Sequence, residues 1–270
     1  MSIEKFVPVS ASQAAYLKRL KHRQYRIAGI RLLIFAVFLL LWETAVQRSW
    51  IDGFIFSSPS RIWNTFSAMW TDGSIFTHAG ITVLETLISF AFVVVLGTSS
   101  AILLWCSDSL SEILEPYLVV LNSLPKSALA PLLIVWLGAN SKSIIVAGMS
   151  VAIFGTILNL YTGFCAVDPD KIRLIYTLGG TQKDVLGKVI LPGTVPLLLS
   201  VMKVNIGLCL VGVIIGEFIG ARQGLGYLII YGSQVFKLDW VIMSIALLCI
   251  IAILLYGAIG FAEKQCLKKR

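Results

Sequence analysis

Charge is scarce in this chain. Asp, Glu, Lys and Arg make up only 13% of its 270 residues, and 57% are hydrophobic, against about 25% and 45–50% in soluble domains. That deficit excludes a water-soluble globular fold. The apolar residues come in several runs of the ~20 residues that a helix needs to cross a bilayer. Alternating ten-residue segments are missing too, which excludes a membrane β-barrel. In lipid, backbone groups must then be satisfied within helices. The fold class predicted is all-α: a polytopic membrane protein with six transmembrane helices.

Histidine is almost absent. His22 and His78 lie too far apart in the predicted topology to share a site, and no Ser/His/Asp or Cys/His set has supporting spacing. The five cysteines, at 106, 165, 209, 249 and 266, form no CxxC pair or metal-ligand pattern and read as small apolar residues. Gly187-Lys188 fails as a phosphate loop, because Gln182 stands where its first Gly belongs and Val189 where Ser or Thr must follow the Lys. No enzymatic activity, metal or cofactor is expected of this chain, and any energy for work comes from elsewhere. A cleavable signal peptide is not evident, since the first apolar run starts too late and runs too long.

What is present falls into order along the chain. Residues 1–26 are a basic leader, with a cationic surface helix expected from Ser12 to Arg26. Residues 27–78 hold a first span, about 28–46, and an amphipathic segment. In that segment Ser58 or Ser60 caps a helix that places Trp63, Phe66 and Trp70 on one face. A core from 79 to 263 carries spans at about 81–105, 115–137, 143–164, 195–219 and 240–262. The third is broken at Leu124-Pro125-Lys126-Ser127. Residues 221–239 read as a polar connection, and 264–270 as a tail.

Six spans put both termini on one side. That side takes fourteen Lys and Arg, from the leader, the 168–192 loop and the tail; the other side takes five. The bias predicts cytoplasmic termini and a cytoplasmic loop. It also explains the net charge of +8 as topology and lipid-headgroup contact rather than nucleic-acid binding.

Asp168 to Pro192 is the longest polar interruption of the second half. Lys171–Tyr176 and Gln182–Ile190 are each predicted as a short helix, with Gly179-Gly180 breaking between them and Pro192 stopping the second. Such a structured loop is either ordered surface or a docking element for a soluble partner. Within the spans, Lys126, Asn159, Lys203, Asn205 and Glu217 are the candidates for lining a solute pathway. Interhelical pairing or snorkelling is the alternative for Lys203 and Glu217. Lys126 either attracts an anionic solute or pairs with a carboxylate such as Glu85. The glycines 148, 155, 207, 212, 216 and 220 read first as close helix packing.

The loop resembles the cytoplasmic signature of ABC importer permeases, Glu-Ala-Ala, three residues, Gly, nine residues, Ile-x-Leu-Pro. Gly179, nine residues and Val189-Ile190-Leu191-Pro192 fit it; Arg173-Leu174-Ile175 replace its Glu-Ala-Ala. Ser58-Pro59-Ser60 with Trp63, Leu129-Ala130-Pro131-Leu132 with Trp136-Leu137-Gly138, Val167-Asp168, Gly216-Glu217 and Gly224-Leu225-Gly226-Tyr227-Leu228-Ile229 are similar to segments of the nitrate/sulfonate/taurine group, in the same order. The resemblance implies a type I importer fold in a prokaryotic cell membrane. It further implies a second permease copy, two ABC ATPase subunits that bind ATP, an extracytoplasmic solute-binding protein and a small anionic solute. Gly179, Gly180, Thr181, Gln182, Lys183, Asp184, Leu191 and Pro192 are then the ATPase-coupling residues. A secondary transporter or channel acting alone is the rival reading. It is disfavoured by the lack of matching broken helices and of a repeated polar filter.

Overall fold

A computed structural model describes residues 11–268. The start of the leader and Lys269-Arg270 lie outside the described residues. Every element among the described residues is helical, and the chain divides into two units, up to Trp63 and from Asn64 onward.

The first unit holds α1 (Ala11–Gln47), α2 (Gly53–Phe56) and the start of α3 (Pro59–Thr71). The surface helix expected over 12–26 is helical but not separate: α1 runs unbroken into the first span, because no Gly-Pro signal interrupts it. Ser58 caps α3, its Oγ accepting from the Arg61 amide at 3.4 Å. The Glu43 carboxylate accepts from the amide and hydroxyl of Ser60 at 3.0 and 2.8 Å.

The second unit comprises α4 (Ser74–Cys106), α5 (Asp108–Ser123), α6 (Lys126–Leu137), α7 (Ser141–Cys165), α8 (Pro169–Thr177), α9 (Gln182–Val185), a π-helical turn (Leu186–Ile190), α10 (Leu191–Gly220), α11 (Leu225–Gln234) and α12 (Leu238–Lys268). Among the described residues, five helices are long and apolar enough to cross a membrane. The α5–α6 pair, bent by 97°, is the sixth crossing when counted as one span. The break falls where sequence predicts it: Leu124 is extended, at ψ 142, as a residue before proline tends to be.

Helices α7, α10 and α4 form the centre, and glycine decides how closely they approach. A Cβ on Gly148 would lie 2.6 Å from Ser89 Oγ and 2.7 Å from Val213, and one on Gly212 would lie 2.8 Å from the Gly148 Cα. The backbones of α7 and α10 therefore touch, as small residues allow in membranes. Ser89 reinforces the contact by donating from α4 to the Ile145 carbonyl at 3.0 Å.

Two expectations need correction. Pro192 does not stop a helix, because helical structure continues from Gln182 to Gly220. The π turn absorbs the proline: Leu191 N–H reaches back to the Leu186 carbonyl, so the register has already shifted where Pro192 lacks its donor. The 221–239 connection is not merely polar either. It contains α11, whose Leu225, Gly226, Leu228 and Gly232 are buried; at ten residues the helix was too short to register as a span.

Candidate functional site

A cavity of about 810 Å³ opens between α7 and α10, within the range of small-ligand sites. Asn205 lies deep in its lining, 3% exposed. Its Nδ2 donates to Thr156 Oγ1 at 2.7 Å, and the Thr156 hydroxyl donates to the Ala152 carbonyl. Asn159, Ser200 and Thr162 add polar groups, and Asn122 joins from α5. Asp168 and Lys171, at the start of α8, also line it, so the cavity extends from the span interior to the 168–192 loop. The membrane part of the lining is amide, hydroxyl and apolar, without a charged side chain.

The five intramembrane candidates separate. Asn159 and Asn205 line this cavity; Lys126, Lys203 and Glu217 do not. Lys126, the first residue of α6, donates to the Asn122 carbonyl near the end of α5 and not to Glu85. Lys203 pairs with Glu263 of α12 and lies 5.9 Å from the Tyr256 ring centroid. That contact is an interhelical clasp.

Glu217 organises the opposite end. It is 1% exposed and accepts from Thr82 Oγ1 at 2.7 Å and from the Gly226 amide at 2.6 Å. Thr82 Oγ1 accepts from the Leu225 amide at 2.8 Å, and His78 Nδ1 from the Gly224 amide at 3.0 Å. These bonds satisfy amides at the start of α11 that a helix leaves orphaned. Close approach requires glycine at 224 and 226: a Cβ on Gly226 would meet Glu217 Oε2 at 2.7 Å. Thr82 and His78 were missed in sequence. Their signal was a helical stripe of small polar residues through an apolar span, Thr82, Thr86 and Ser89, all buried.

The loop is built as a rigid projection. Asp168 caps α8 by accepting from the Asp170 amide at 3.0 Å. Gly179 has φ +81, the left-handed region open to glycine. Gly180 is held by space instead, since a Cβ there would lie 2.5 Å from Ile175 Cγ2. Thr181 donates its amide and hydroxyl to Asp184 Oδ2 at 2.9 and 2.7 Å, and Lys188 donates to Asp184 Oδ1 at 2.8 Å. Gln182 Nε2 reaches the Cys106 carbonyl at 3.1 Å, tying the loop to the end of α4. Val185 and Ile190 are fully buried beside Ala101, Leu160, Phe164 and Val201, with Leu191 packed against them. Leu174 and Leu178 face outward, 57% and 75% exposed, and Lys183 is exposed.

Residues 93–270 match the family described as binding-protein-dependent transport system inner membrane component. The formylaminopyrimidine transport permease protein ThiX of Halalkalibacterium halodurans is 26% identical over 88% of this chain and 94% of its own. The taurine transport system permease protein TauC of Escherichia coli is 26% identical over 92% of each chain. Among solved structures, a chain of the MetNI methionine ABC transporter in an inward-facing conformation aligns with TM-score 0.59. It is 19% identical, over 71% of this chain and 94% of that one, a likeness of fold. The chain belongs to the binding-protein-dependent transport system inner membrane component family, and is a multi-pass ABC importer permease.

Proposed function

We propose that this permease couples the import of a small organic oxyanion, of the sulfonate kind, to ATP hydrolysis on a separate ATPase subunit docked at residues 168–192. The observation that carries the reading is the loop's two-sided construction. Val185 and Ile190 root it in the core, while Leu174 and Leu178 of the same loop face outward. An apolar surface on a rigid projection fits a partner groove, and partner closure there moves α7 and α10, which flank both loop and cavity. Gly179, Gly180, Thr181, Gln182, Lys183, Asp184, Leu191 and Pro192 shape or anchor that projection. ATP belongs to the partner. A second permease copy would complete the pathway beside Asn159 and Asn205, and an extracytoplasmic binding protein would deliver the solute. The taurine relative supports a sulfonate; the pyrimidine relative shows that similar permeases are named for other solutes. Proteoliposomes holding permease, ATPase and binding protein test the reading: uptake should require ATP on the loop side and cease without the ATPase. Uptake by the permease alone would defeat it.

Both termini and the loop are assigned to the cytoplasm on the charge bias. A cysteine placed at Gln182, in a variant lacking native exposed thiols, should resist impermeant maleimide in intact cells and react in inverted vesicles. Labelling from outside would reverse the assignment.

The cavity assignment separates two substitutions. Asn205→Leu removes a buried hydrogen-bonding amide from the lining and should lower uptake at least about tenfold with protein still in the membrane. Lys126→Met removes one hydrogen bond, to the Asn122 carbonyl, by a side chain outside the lining, and should change uptake by less than about tenfold. Uptake and membrane level measured together for both variants decide it; the reverse ranking would place the pathway at the α5–α6 bend.

A further inference from the structure

The connection between α1 and α3 wears its apolar residues on the outside. Trp50, Phe54, Ile55 and Phe56 are each more than half exposed. Four large apolar side chains in so short a stretch suit a loop in water poorly, because contiguous apolar patches on soluble surfaces are small and usually functional.

The depth of this stretch is set by α1. At about 1.5 Å per residue, its apolar run over about 28–46 is about 28 Å long, close to the ~30 Å of a bilayer's hydrocarbon. Val46 therefore stands at the membrane boundary, and the chain turns back there. A Cβ on Gly53 would lie 2.8 Å from Val46 Cγ1, so α2 packs against the last turn of α1. Arg61 Nη1 donates to the Gly53 carbonyl at 2.6 Å, and Glu43 holds the other end of the loop through Ser60.

The backbone is bonded as a medium poor in water requires. The amides of Arg48, Trp50 and Ile51 donate to the Thr44 and Ala45 carbonyls at 2.9, 2.9 and 3.4 Å. Those of Ile55 and Phe56 donate to the Asp52 carbonyl at 3.1 and 2.9 Å, and that of Phe54 to Asp52 Oδ1 at 2.8 Å. Amides satisfied in this way enter an apolar region without losing hydrogen bonds to water. The acidic residue of the stretch, Asp52, is engaged as the cap of α2. The basic one, Arg48, lies 5.9 Å from the Trp50 ring centroid, an aromatic ring beside a cation as lipid–water interfaces favour.

We infer that residues 48–56 are a membrane anchor lying in the headgroup–acyl boundary of the leaflet where α1 ends, with Ile55 and Phe56 among the acyl chains and Arg48 at the lipid phosphates. The occupant of this face is phospholipid because the face continues the exposed apolar surface of α1, Leu40 and Leu41 included, past Val46. The anchor requires neither the solute nor the ATPase, and it keeps the chain at the membrane after its first crossing.

Site-directed spin labelling tests it. Single cysteines at Leu40, Ile55 and Phe56, in a variant lacking native exposed thiols, are nitroxide-labelled in the permease–ATPase complex. The complex is placed in vesicles of phosphatidylethanolamine and phosphatidylglycerol. Collision rates with oxygen, which concentrates among acyl chains, and with a water-soluble nickel chelate give the depth of each label. Leu40, exposed on α1, is the acyl-chain reference. The Ile55 and Phe56 labels should lie about 5–10 Å below the phosphates, with Leu40 deeper. Nickel collisions at Ile55 and Phe56 as frequent as for a nitroxide free in buffer would place the loop in water and overturn the anchor. Labels reached by neither reagent would show that protein covers the face, as a second permease copy could, and would overturn it equally.

Discussion

Gly179→Val is expected to reach the membrane at the wild-type level, lose its ATPase partner and abolish uptake. Valine at φ +81 is a steric outlier; holding a residue there costs about 1–3 kcal/mol, a factor of roughly 5–150 in the population of the native turn. Nothing lies within 4 Å of a Cβ at this position, so the cost is conformational rather than a clash. The spans keep their sequence and should insert normally. Recovery of the ATPase on the tagged permease, measured beside uptake, reads the result. Gly180→Val provides a second route to the same end, because its Cβ would also lie 2.9 Å from the Ile175 carbonyl. Wild-type ATPase recovery and uptake in both variants would make the loop ordered surface and nothing more.

Glu217→Leu should be the most damaging substitution in the far half of the bundle. It strips the acceptor from the buried Gly226 amide, an orphaned donor that costs about 1–3 kcal/mol, and leaves the buried Thr82 hydroxyl only the longer bond to the His78 carbonyl at 3.2 Å. It also places a branched side chain where Gly224 and Gly226 approach closely. The start of α11 should detach from α4 and α10, with a loss of accumulated protein or a melting temperature in detergent roughly 5–15 °C lower. Glu217→Gln keeps one acceptor oxygen and should fall between. Thermal melting of the three proteins in one detergent is the check, and coincident melts would show that α11 is held by its apolar contacts alone.

Much of this architecture was legible because lipid leaves the backbone few options. The spans, the break at Pro125 and the cap at Ser58 follow from run length, proline chemistry and a serine before an apolar stretch. Gly179 was readable as a turn residue, and the glycines of α7 and α10 as a close crossing. Three features were not. The π turn cannot be read from Leu186–Ile190, since the register shift answers a proline two residues later. α11 hides in a segment too short to span, and its place depends on acceptors from Glu217 nearby and from Thr82 and His78, remote in sequence. Of the pathway candidates, Asn159 and Asn205 share a cavity while Lys203 meets Glu263 sixty residues away; which face of a span each polar residue takes is decided by neighbours that a hydrophobic run does not reveal.

The claim that residues 168–192 receive the ATPase is tested most directly by a photo-crosslinking amino acid at Lys183, exposed on the projection. The chain is expressed with its native partners, illuminated in intact membranes, and the adduct identified by mass spectrometry. The expected adduct is an ABC ATPase subunit, formed in high yield at Lys183 and not at Trp136, exposed on α6. Adducts with lipid alone at Lys183, while the ATPase co-purifies and crosslinks elsewhere, would contradict it.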